Sequence, residues 1–362
     1  MHRIAVKLFI NYEKLKRIYT AIIPAFNSQD TIVHLLNSLL KIESPPLEII
    51  VVDDASTDHT QDLASQLEGV KVLRLKDNVG PGAARNIGAN NAKTRWLLFI
   101  DSDCSLPLSS IENAFPTEIE EVNNIVGIMG VFAPTGPRKS PVASYKNMQR
   151  HYEIKAMTNP PETFSSSCFT ITKEAYLKCS GFNEAFGKTP TEDNEFYFRL
   201  YKKGFRIKYN TAFTFIHNKH MSIKGLFRDD YLRAKAIMLN ILGRLGEPRG
   251  NLKMDEVIRW VLELSSGTMF VISLGLISIS ILTFSFSNSM IFLLSAFVSS
   301  LIIGAINYKL LQYSFKCGGA RLMTSHLFLR SIEMVAAVTG MSAIAFELLF
   351  KKAKYISNNN EN

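Results

Sequence analysis

Four acidic residues follow two apolar segments of this chain, at the points where the segments end. Asp101 and Asp103 follow WLLFI, and Asp53 and Asp54 follow IIVV. On a strand, residues two positions apart point to the same side, so Asp101 and Asp103 can converge on one ligand. Neighbouring carboxylates repel each other unless a cation joins them, which favours a hard divalent ion that is completed by substrate phosphate oxygens. Solvated aspartates in turns or at helix caps are the alternative, because Asp is common at both.

These acids require a scaffold, and residues 18 to about 105 have the pattern of one. Short apolar segments alternate there with amphipathic ones, which predicts a parallel sheet covered by helices on both faces. The predicted strands are IYTAIIPAF, LEIIVVDD, KVLRL and WLLFID, and the predicted helices are DTIVHLLNSLLK, HTQDLASQLE and PGAARNIGANNA. Because ligands of open parallel sheets bind at the carboxyl ends of the strands, the acids lie at the predicted ligand edge.

Residues that favour helix starts precede the predicted helices. Ser28 stands before the first helix, Ser56 and Thr57 stand before the second, and Pro81 occupies the first turn of the third. Serine and threonine side chains accept backbone hydrogen bonds at helix starts, and proline is tolerated in the first turn. These residues therefore mark the starts of the three predicted helices.

Gly80 and Gly82, before the third helix, resemble part of a dinucleotide-binding fingerprint. However, Arg85 occupies the position of the third glycine, and the turn follows the third strand rather than the first. The first turn, PAFNSQD, contains no glycine, so the pattern argues against a nicotinamide-dependent oxidoreductase. Arg85 lies one turn into a helix whose N-terminus faces the crevice, a place suited to pairing with a phosphate or carboxylate.

The composition of the chain limits the kinds of partner and the cellular compartment that are expected. The chain has 362 residues, with 41 Lys and Arg against 32 Asp and Glu, which gives a formal charge of +9. A basic balance favours an anionic partner, and nucleic acid, phosphorylated substrates and anionic lipid all qualify. Cys104, Cys168, Cys179 and Cys317 show no ligand or disulfide spacing, so a reducing compartment is expected. The N-terminal residues do not have the pattern of a signal peptide.

The C-terminal third of the chain contains long apolar segments. Residues 261–284 and 289–306 are predicted to span a bilayer. Residues 331–350 are a third candidate, with Glu333 and Glu347 inside its ends. This segment either spans the bilayer or lies elsewhere.

Residues 221–256 connect the two parts and alternate apolar groups with lysines and arginines. This pattern fits either an interfacial helix on anionic lipid or an amphipathic helix packed on the preceding domain. The expected domains are an α/β domain over 1–220, the amphipathic segment over 221–256, membrane helices over 257–352 and a polar tail over 353–362.

The motifs of the first part, taken in order, resemble those of a known enzyme family. TAIIPAFN, EIIVVDDASTD, NVGPGAARNIG, LLFIDSDC, SGFNEAF and TEDNEFYFRLYKKGFRIKY follow one another as in glycosyltransferase family 2, over roughly residues 18–220. The resemblance implies a GT-A fold, which is a Rossmann-like, mostly parallel sheet with flanking helices. It also implies inverting transfer of a sugar from a nucleotide-sugar donor, with Mn²⁺ or Mg²⁺ to neutralise the departing diphosphate.

By the same resemblance, residues of the strand ends bind the donor nucleotide. They are Pro24, Phe26, Asn27, Asp53, Asp54, Arg85 and Asp101. Asp53 is implied to accept a hydrogen bond from the base, and Arg85 is implied to help hold Asp53 and the nucleotide. Asp101 is implied to approach the ribose and the metal, and Asp103 to bind the ion that bridges the diphosphate.

An inverting displacement needs a base on the face of the sugar opposite the leaving group. The family's base is the last acid of its ED motif, which is Asp193, beside Glu192, in TPTEDNEF. Glu192 also completes a capping box with Thr189, and an acid at Asp193 also suits the helix dipole. We expect this acidic pair to be catalytic, with Asp193 as the base, because capping leaves the accompanying motifs unexplained.

Two histidines, His217 and His220, come at or just after the end of the segment FRIKYNTAFTFIH. In many members of the family a histidine at this place is a further metal ligand, and imidazole favours Mn²⁺ over Mg²⁺. We predict His217 rather than His220 as that ligand, and a turn residue is the alternative. Asp229, Asp230 and Tyr231 stand where several processive relatives have a glutamine–arginine–tryptophan signature, which speaks against polymer synthesis.

The sequence thus predicts a multi-pass protein of the cell inner (plasma) membrane with its catalytic domain in the cytoplasm. The expected partners are a nucleotide-sugar donor, a lipid-linked or glycan acceptor and anionic membrane lipid, but not nucleic acid, and the oligomeric state is left open. A membrane-held enzyme of this kind suits envelope or exopolysaccharide synthesis. A polyprenyl-phosphate sugar transferase and a non-catalytic membrane protein that binds nucleotide sugars are the alternatives.

Basic residues predict the topology of the apolar segments. The loop between the second and third segments is rich in Lys and Arg, which fits the cytoplasmic side. A third span would place Lys351 and Lys352 outside, against that rule, but Ala336 and Gly340 have the spacing for close packing on another helix. We expect three spans with the tail outside.

Overall fold

The computed structural model of the chain describes residues 18–134, 141–161, 164–187, 192–219, 221–243 and 307–359, together with residues 301 and 305. The chain divides into two compact units, Met1–His220 and Met221–Asn362. The first unit carries the predicted site.

An eight-stranded sheet organises the first unit, in the order β3-β2-β1-β4-β7-β6-β8-β5. The strands are β1 (Tyr19–Ala25), β2 (Glu48–Asp53), β3 (Val70–Arg74), β4 (Trp96–Ile100), β5 (Cys104–Ser105), β6 (Ile125–Phe132), β7 (Cys168–Thr172) and β8 (Arg206–His217). The first four strands are parallel, as predicted. Beyond them the sheet is mixed, because β7 runs antiparallel to both β4 and β6, β8 runs parallel to β6, and β5 runs antiparallel to β8.

Three central strands, β1, β4 and β6, are buried at every position. Continuous burial requires cover on both faces of the sheet, which explains why these strands are apolar without alternation. These three strands contain no charged or amide side chain, and such groups follow β1 and β4 in the turns at their ends.

The helices of the first unit lie between these strands. They are α1 (Ile32–Lys41), α2 (Thr60–Ser65), α3 (Pro81–Asn91), α4 (Glu118–Val122), α5 (Pro141–Ala156), α6 (Lys173–Lys178) and α7 (Glu192–Lys202). The three helices predicted from the sequence are present, and Pro81 occupies the first turn of α3 as expected.

The predicted helices begin within two residues of α1 and α2, but the Ser28 and Ser56 hydroxyl groups do not cap them, because these groups have other partners. The Ser28 hydroxyl shares a hydrogen bond of 2.7 Å with Ser102, and the Ser56 hydroxyl accepts one of 2.9 Å from Asn27 N. The first turn of α2 is stabilised instead by Asp58, whose Oδ1 accepts a hydrogen bond of 3.0 Å from Thr60 N. These serines therefore tie neighbouring loops together.

The helix α3 packs so closely on the sheet that one of its positions requires glycine. A Cβ atom on Gly88 would lie 2.3 Å from Ile22 Cγ2 and 3.3 Å from Val52 Cγ2. We expect Gly88→Ala to lower the free energy of unfolding by about 1–3 kcal/mol, the usual cost of overpacking a core. Denaturant unfolding of the purified protein measures this, with Asn90→Ala at an exposed position of α3 as the control. Equal stability of the two variants would contradict the close packing.

The second unit is described as two packed helices, α8 (Ile223–Gly243) and α9 (Tyr308–Asn359), with non-helical backbone in α9 at Gly318 and Gly319. The predicted close packing at Gly340 is confirmed, since a Cβ atom there would lie 2.5 Å from Tyr231 O in α8.

Of the predicted membrane segments, only the third lies within the part of the chain that the structure describes. Residues 261–284 lie outside the described residues, as do residues 289–306 apart from 301 and 305. Residues 331–350 are part of α9. No helix within the described residues combines the length and the apolar character needed to cross a bilayer.

Candidate active site

The carboxylate at the end of β2 is held by an arginine that the sequence pattern did not indicate. Asp53 is fully buried, and its Oδ2 accepts a hydrogen bond of 2.7 Å from Arg74 Nη1. The two residues are register partners on β2 and β3. The expectation that Arg85 holds Asp53 is wrong, because Arg85 pairs with acids elsewhere. The one feature of the sequence that could have indicated Arg74 is its position at the end of the predicted strand that follows β2.

The neighbouring acid, Asp54, holds the loop before α3. Its two carboxylate oxygens accept hydrogen bonds of 2.8 Å from Val79 N and from Gly80 N. Gly80 has φ of 96°, a left-handed conformation that suits glycine. Asp54 thus positions the loop before α3, and its contact with the nucleotide stays a prediction.

The loop after β1 contains the remaining predicted nucleotide residues of the first part. Pro24 lies buried in β1, whereas the Phe26 side chain just beyond the strand is 47% exposed. Asn27 has φ of 49°, and its Oδ1 accepts a hydrogen bond of 2.9 Å from Thr57 N. This bond joins the loops after β1 and β2, so an exposed ring and a buried carboxylate lie at the same edge of the sheet.

The segment from Asp101 to Asp103 is a turn rather than part of a strand. The strand β4 ends at Ile100, and Cys104 N donates a hydrogen bond of 3.0 Å to Asp101 O. The alternation of side chains along a strand therefore does not apply to the two acids. Their carboxylates pair with different residues, Asp101 with Arg85 and Asp103 with His217.

The buried guanidinium of Arg85 joins the turn after β4 to the start of α7. Nη2 donates a hydrogen bond of 2.7 Å to Asp101 Oδ1, and Nη1 donates one of 3.4 Å to Glu192 Oε1. Burial alone would lower the pKa of Arg85, but the carboxylates of Asp101 and Glu192 outweigh it and raise that pKa. The side chain therefore stays charged, and it also lies over the ring of Phe182, 5.2 Å from the centroid.

A buried asparagine, Asn86, fixes the segment that carries Phe182. Its Oδ1 accepts hydrogen bonds from Phe182 N at 2.9 Å and from the Tyr176 hydroxyl at 2.6 Å, and its Nδ2 donates to Phe182 O at 2.9 Å. Next to it, a Cβ atom on Gly181 would lie 2.3 Å from Asn86 Oδ1. The sequence pattern did not indicate Asn86, which follows Arg85 directly and holds this segment against the same helix.

The two predicted catalytic acids begin α7 and have different surroundings. Glu192 pairs with Arg85, whereas Asp193 accepts a hydrogen bond of 2.8 Å from Asn194 N. Burial and the neighbouring Glu192 carboxylate raise the pKa of Asp193 to about 6. Such a group is a carboxylate at neutral pH and still has the basicity to accept a proton. The predicted capping residue Thr189 lies outside the described residues.

Asp103 and His217 come together because the short strand β5 pairs with the end of β8. Cys104 and His217 are register partners, and His217 Nε2 lies 3.3 Å from Asp103 Oδ1. Burial opposes both charges, but each partner outweighs it, so the pKa of Asp103 is lowered and that of His217 is raised. Asn147 Nδ2 donates a hydrogen bond of 2.9 Å to His217 O and fixes the end of β8. His220, the less favoured ligand, lies outside the described residues.

The donor atoms of Asp103, Cys104 and His217 all lie within 4.8 Å of one another. Asp101 is not part of this group among the described residues, and the sequence pattern had not indicated Cys104. The Asp103–His217 separation of 3.3 Å suits a divalent ion, because two adjacent ligands of an octahedral ion bound at about 2.1 Å lie about 3 Å apart. An oxygen and an imidazole nitrogen are also a donor set that Mn²⁺ accepts.

Comparison with protein families identifies the domain that carries this site. Residues 20–181 match the model of Glycosyl transferase family 2. The matched range contains β1 except its first residue, the strands β2 to β7 and the turn from Asp101 to Asp103. This part of the chain is thus similar to the glycosyltransferase domains of family 2.

Several curated proteins are similar to parts of the chain. The succinoglycan biosynthesis protein ExoO of Rhizobium meliloti is 42% identical over 86 residues, which are 23% of this chain and 25% of that protein. The UDP-Glc:alpha-D-GlcNAc-diphosphoundecaprenol beta-1,3-glucosyltransferase WfaP of Escherichia coli is 37% identical over 94 residues, 25% of this chain and 38% of WfaP. An uncharacterized glycosyltransferase of Haemophilus influenzae is 28% identical over 220 residues, 56% of this chain and 69% of that protein. The chain therefore covers only about a quarter of ExoO and two fifths of WfaP.

Among solved structures, the chain is similar to the mannosyltransferase PcManGT from Pyrobaculum calidifontis in complex with GDP-Man and Mn²⁺. The TM-score is 0.52 at 16% sequence identity, and the match covers 89% of this chain and 86% of PcManGT. A likeness at this identity concerns the fold, which supports the predicted GT-A class.

Proposed function

We propose that the protein transfers one sugar from a nucleotide-sugar donor to an acceptor hydroxyl, with inversion and with the help of a divalent ion. The observation that carries this proposal is the gathering of two groups of residues around the turn after β4. Asp103 meets His217 on one side, and Arg85 connects Asp101 to the Glu192–Asp193 pair on the other. The family 2 domain over residues 20–181 supports the same reaction.

The donor nucleotide is bound by the loops after β1 and β2. The Asp53 carboxylate, which Arg74 holds in place, accepts a hydrogen bond from the nucleobase. Asp103 and His217 would hold Mn²⁺ or Mg²⁺, which supplies neutralisation of the charge that develops on the departing diphosphate. PcManGT, which shares the fold, is described in complex with GDP-Man and Mn²⁺.

Asp193 acts as the general base on the acceptor. Its carboxylate accepts the hydroxyl proton while the acceptor oxygen forms a bond to the anomeric carbon of the sugar. The bond between that carbon and the diphosphate oxygen breaks at the same time, so the configuration inverts. Arg85 positions the start of α7, which carries Asp193, because its guanidinium holds Glu192 and also binds Asp101 in the turn after β4.

The pH dependence of transfer tests the role of Asp193. Its pKa is raised to about 6, and a protonated carboxyl cannot accept the acceptor proton. We therefore expect kcat/KM at saturating Mn²⁺ to be constant near neutral pH and to fall tenfold per pH unit well below that pKa. Initial rates measured between about pH 5 and pH 8 give this profile. A rate that stays level through the acidic half of that range would contradict the assignment.

The acceptor is a glycan carried on a lipid, in envelope or exopolysaccharide synthesis. WfaP is named as acting on a diphosphoundecaprenol-linked sugar, and ExoO is named for succinoglycan biosynthesis. The apolar segments over residues 261–284 and 289–306 would anchor the chain in the plasma membrane beside such an acceptor. The basic segment over residues 221–256 would contact anionic lipid on the cytoplasmic side.

Cysteine labelling tests the topology. With three spans and a cytoplasmic catalytic domain, Ser357→Cys in the tail should react with an impermeant maleimide added to intact cells. The parent chain is the background control, and its Cys104, Cys168 and Cys179 are buried. Glu174→Cys, at an exposed position of α6, should react only after permeabilisation. Labelling of Ser357→Cys that also requires permeabilisation would place the tail inside.

Turnover by membranes that contain the full chain tests the proposal as a whole. A panel of nucleotide sugars is supplied with the membranes, and released nucleoside diphosphate is measured with Mn²⁺ and with chelator. We expect release from one donor or a small set, dependent on the ion and on Asp193. A polyprenyl-phosphate sugar transferase would not need Asp193, because a phosphate acceptor needs no base. A non-catalytic binding protein would bind the donor without turnover.

A further inference from the structure

The cysteine of the turn after β4 lies beside the two residues that hold the ion in the proposed reaction. Cys104 Sγ is 3.8 Å from Asp103 Oδ1, and the sulfur, the carboxylate oxygen and the imidazole nitrogen of His217 lie within 4.8 Å of one another. Cys104 is fully buried, and β5 holds it directly opposite His217 on β8. Its place is therefore fixed by the sheet rather than by a free loop.

Two separations among these donor atoms are close to those of a tetrahedral site, and the third, between Cys104 and His217, is no more than 4.8 Å. Zinc binds oxygen or nitrogen at about 2.1 Å and sulfur at about 2.3 Å, so tetrahedral ligands lie about 3.4 Å apart for an O–N pair and about 3.6 Å apart for an O–S pair. The Asp103–His217 separation is 3.3 Å and the Asp103–Cys104 separation is 3.8 Å. An octahedral ion bound at about 2.1 Å would need adjacent ligands about 3 Å apart, which fits the sulfur poorly.

We propose that Cys104 is a third protein ligand in this site, and that the site therefore takes a thiophilic divalent cation, Zn²⁺ or Co²⁺, more tightly than an Asp–His pair alone would. A set of one sulfur, one nitrogen and one oxygen leaves a fourth tetrahedral position open, which is the arrangement of reactive rather than structural zinc sites. This inference rests on the proposed function in placing an ion at Asp103 and His217, and it adds a ligand and a metal preference.

Binding of the ion exchanges the thiol proton for the metal. Cys104 Sγ lies 3.8 Å from the Ser167 carbonyl oxygen, within reach of a weak S–H donor bond. When Sγ coordinates the cation, that proton goes to solvent, as is usual for a cysteine that binds a metal. The position left open would be available to an oxygen of the donor diphosphate.

Cobalt spectroscopy of the full chain tests this inference without measuring activity. A cysteine thiolate on Co²⁺ gives a sulfur-to-cobalt charge-transfer band in the near ultraviolet, and tetrahedral Co²⁺ gives intense visible bands. We expect both in the parent protein and the loss of the charge-transfer band in Cys104→Ser. The ratio of Zn²⁺ to Mn²⁺ affinity, measured by competition, should fall at least about tenfold in that variant, since even the loss of an outer partner costs this much.

Cys168→Ser is the matched control, because Cys168 is equally buried on β7 but lies outside the group of donor atoms. It should leave the band and the affinity ratio unchanged. A band that persists in Cys104→Ser, or that is absent from the parent protein, overturns the inference. X-ray absorption at the zinc edge of the zinc-loaded parent protein tests the same inference without a variant. We expect one sulfur among the atoms that coordinate the zinc ion. Coordination by nitrogen and oxygen alone would contradict the inference.

The proposed function is tested separately by Mn²⁺-dependent binding of a nucleoside diphosphate. Retention of that binding in Cys104→Ser, together with an unchanged zinc preference, would overturn the sulfur ligand and leave the transferase proposal intact. If the parent protein does not show Mn²⁺-dependent binding of a nucleoside diphosphate, that result counts against the transferase proposal.

Discussion

Asp103→Ala is expected to abolish metal-dependent binding of the nucleoside diphosphate while the domain still folds. The carboxylate faces His217 from a turn at the edge of the sheet, so its removal takes away a ligand without opening the core. Loss of an outer partner of a metal ligand costs about 10–100-fold in affinity, so we expect a loss of at least about 100-fold for the ligand itself. Titration of the nucleotide at several Mn²⁺ concentrations measures the effect.

The control for this variant is Glu174→Ala. The Glu174 side chain is 75% exposed and pairs with Lys178 on α6. It follows Thr172, the register partner of the first residue of β4, and therefore lies near the opposite edge of the sheet from the turn. It should bind the nucleotide as the parent does. If Asp103→Ala shows the same Mn²⁺ dependence as this control, Asp103 is not a metal ligand.

Asp193→Asn is expected to keep donor affinity and to lose transfer by about 10²–10⁴-fold, the usual contribution of a general base. Asparagine has the shape of the carboxylate and can keep the contact with Asn194 N, but it cannot accept the acceptor proton. Single-turnover transfer and separate nucleotide titrations measure the two effects. The ion pair of Arg85 with Glu192 should hold the start of α7 in place in this variant.

Glu195→Gln is the matched control for the base. Glu195 lies two residues further along α7 and pairs with Arg199. This variant should keep transfer near the parent level. A loss of donor affinity in Asp193→Asn equal to its loss of transfer would make Asp193 a structural residue. Nearly unchanged transfer would favour a phosphate acceptor, since that reaction needs no base.

The sequence by itself determined the first four strands, the helices between them and the edge of the sheet that carries the acids. Each follows from short-range patterns: continuous apolar segments for strands with both faces covered, and Pro81 for the start of α3. The family motifs added the acids at 192 and 193, which have different surroundings in the structure.

The partners of the capping serines show where local sequence patterns stop being sufficient. Ser28 and Ser56 are good capping residues, but their hydroxyl groups bond to Ser102 and to Asn27 N across neighbouring loops. A capping preference of about 1 kcal/mol is easily replaced by a tertiary hydrogen bond of similar strength. The choice between the two depends on which loops the sheet brings together.

Only the tertiary structure decided which charged groups meet. Arg74 reaches Asp53 because β2 and β3 are neighbours in register, and His217 reaches Asp103 because β5 pairs with the end of β8. Arg85 holds Asp101 and Glu192 from α3, which precedes both acids in sequence. Periodicity reports which face of an element is buried, but it carries no information on strand order or on the switch to antiparallel pairing at β7. For that reason the acids could be identified from the sequence, whereas their partners, including Cys104 beside the proposed ion, could not.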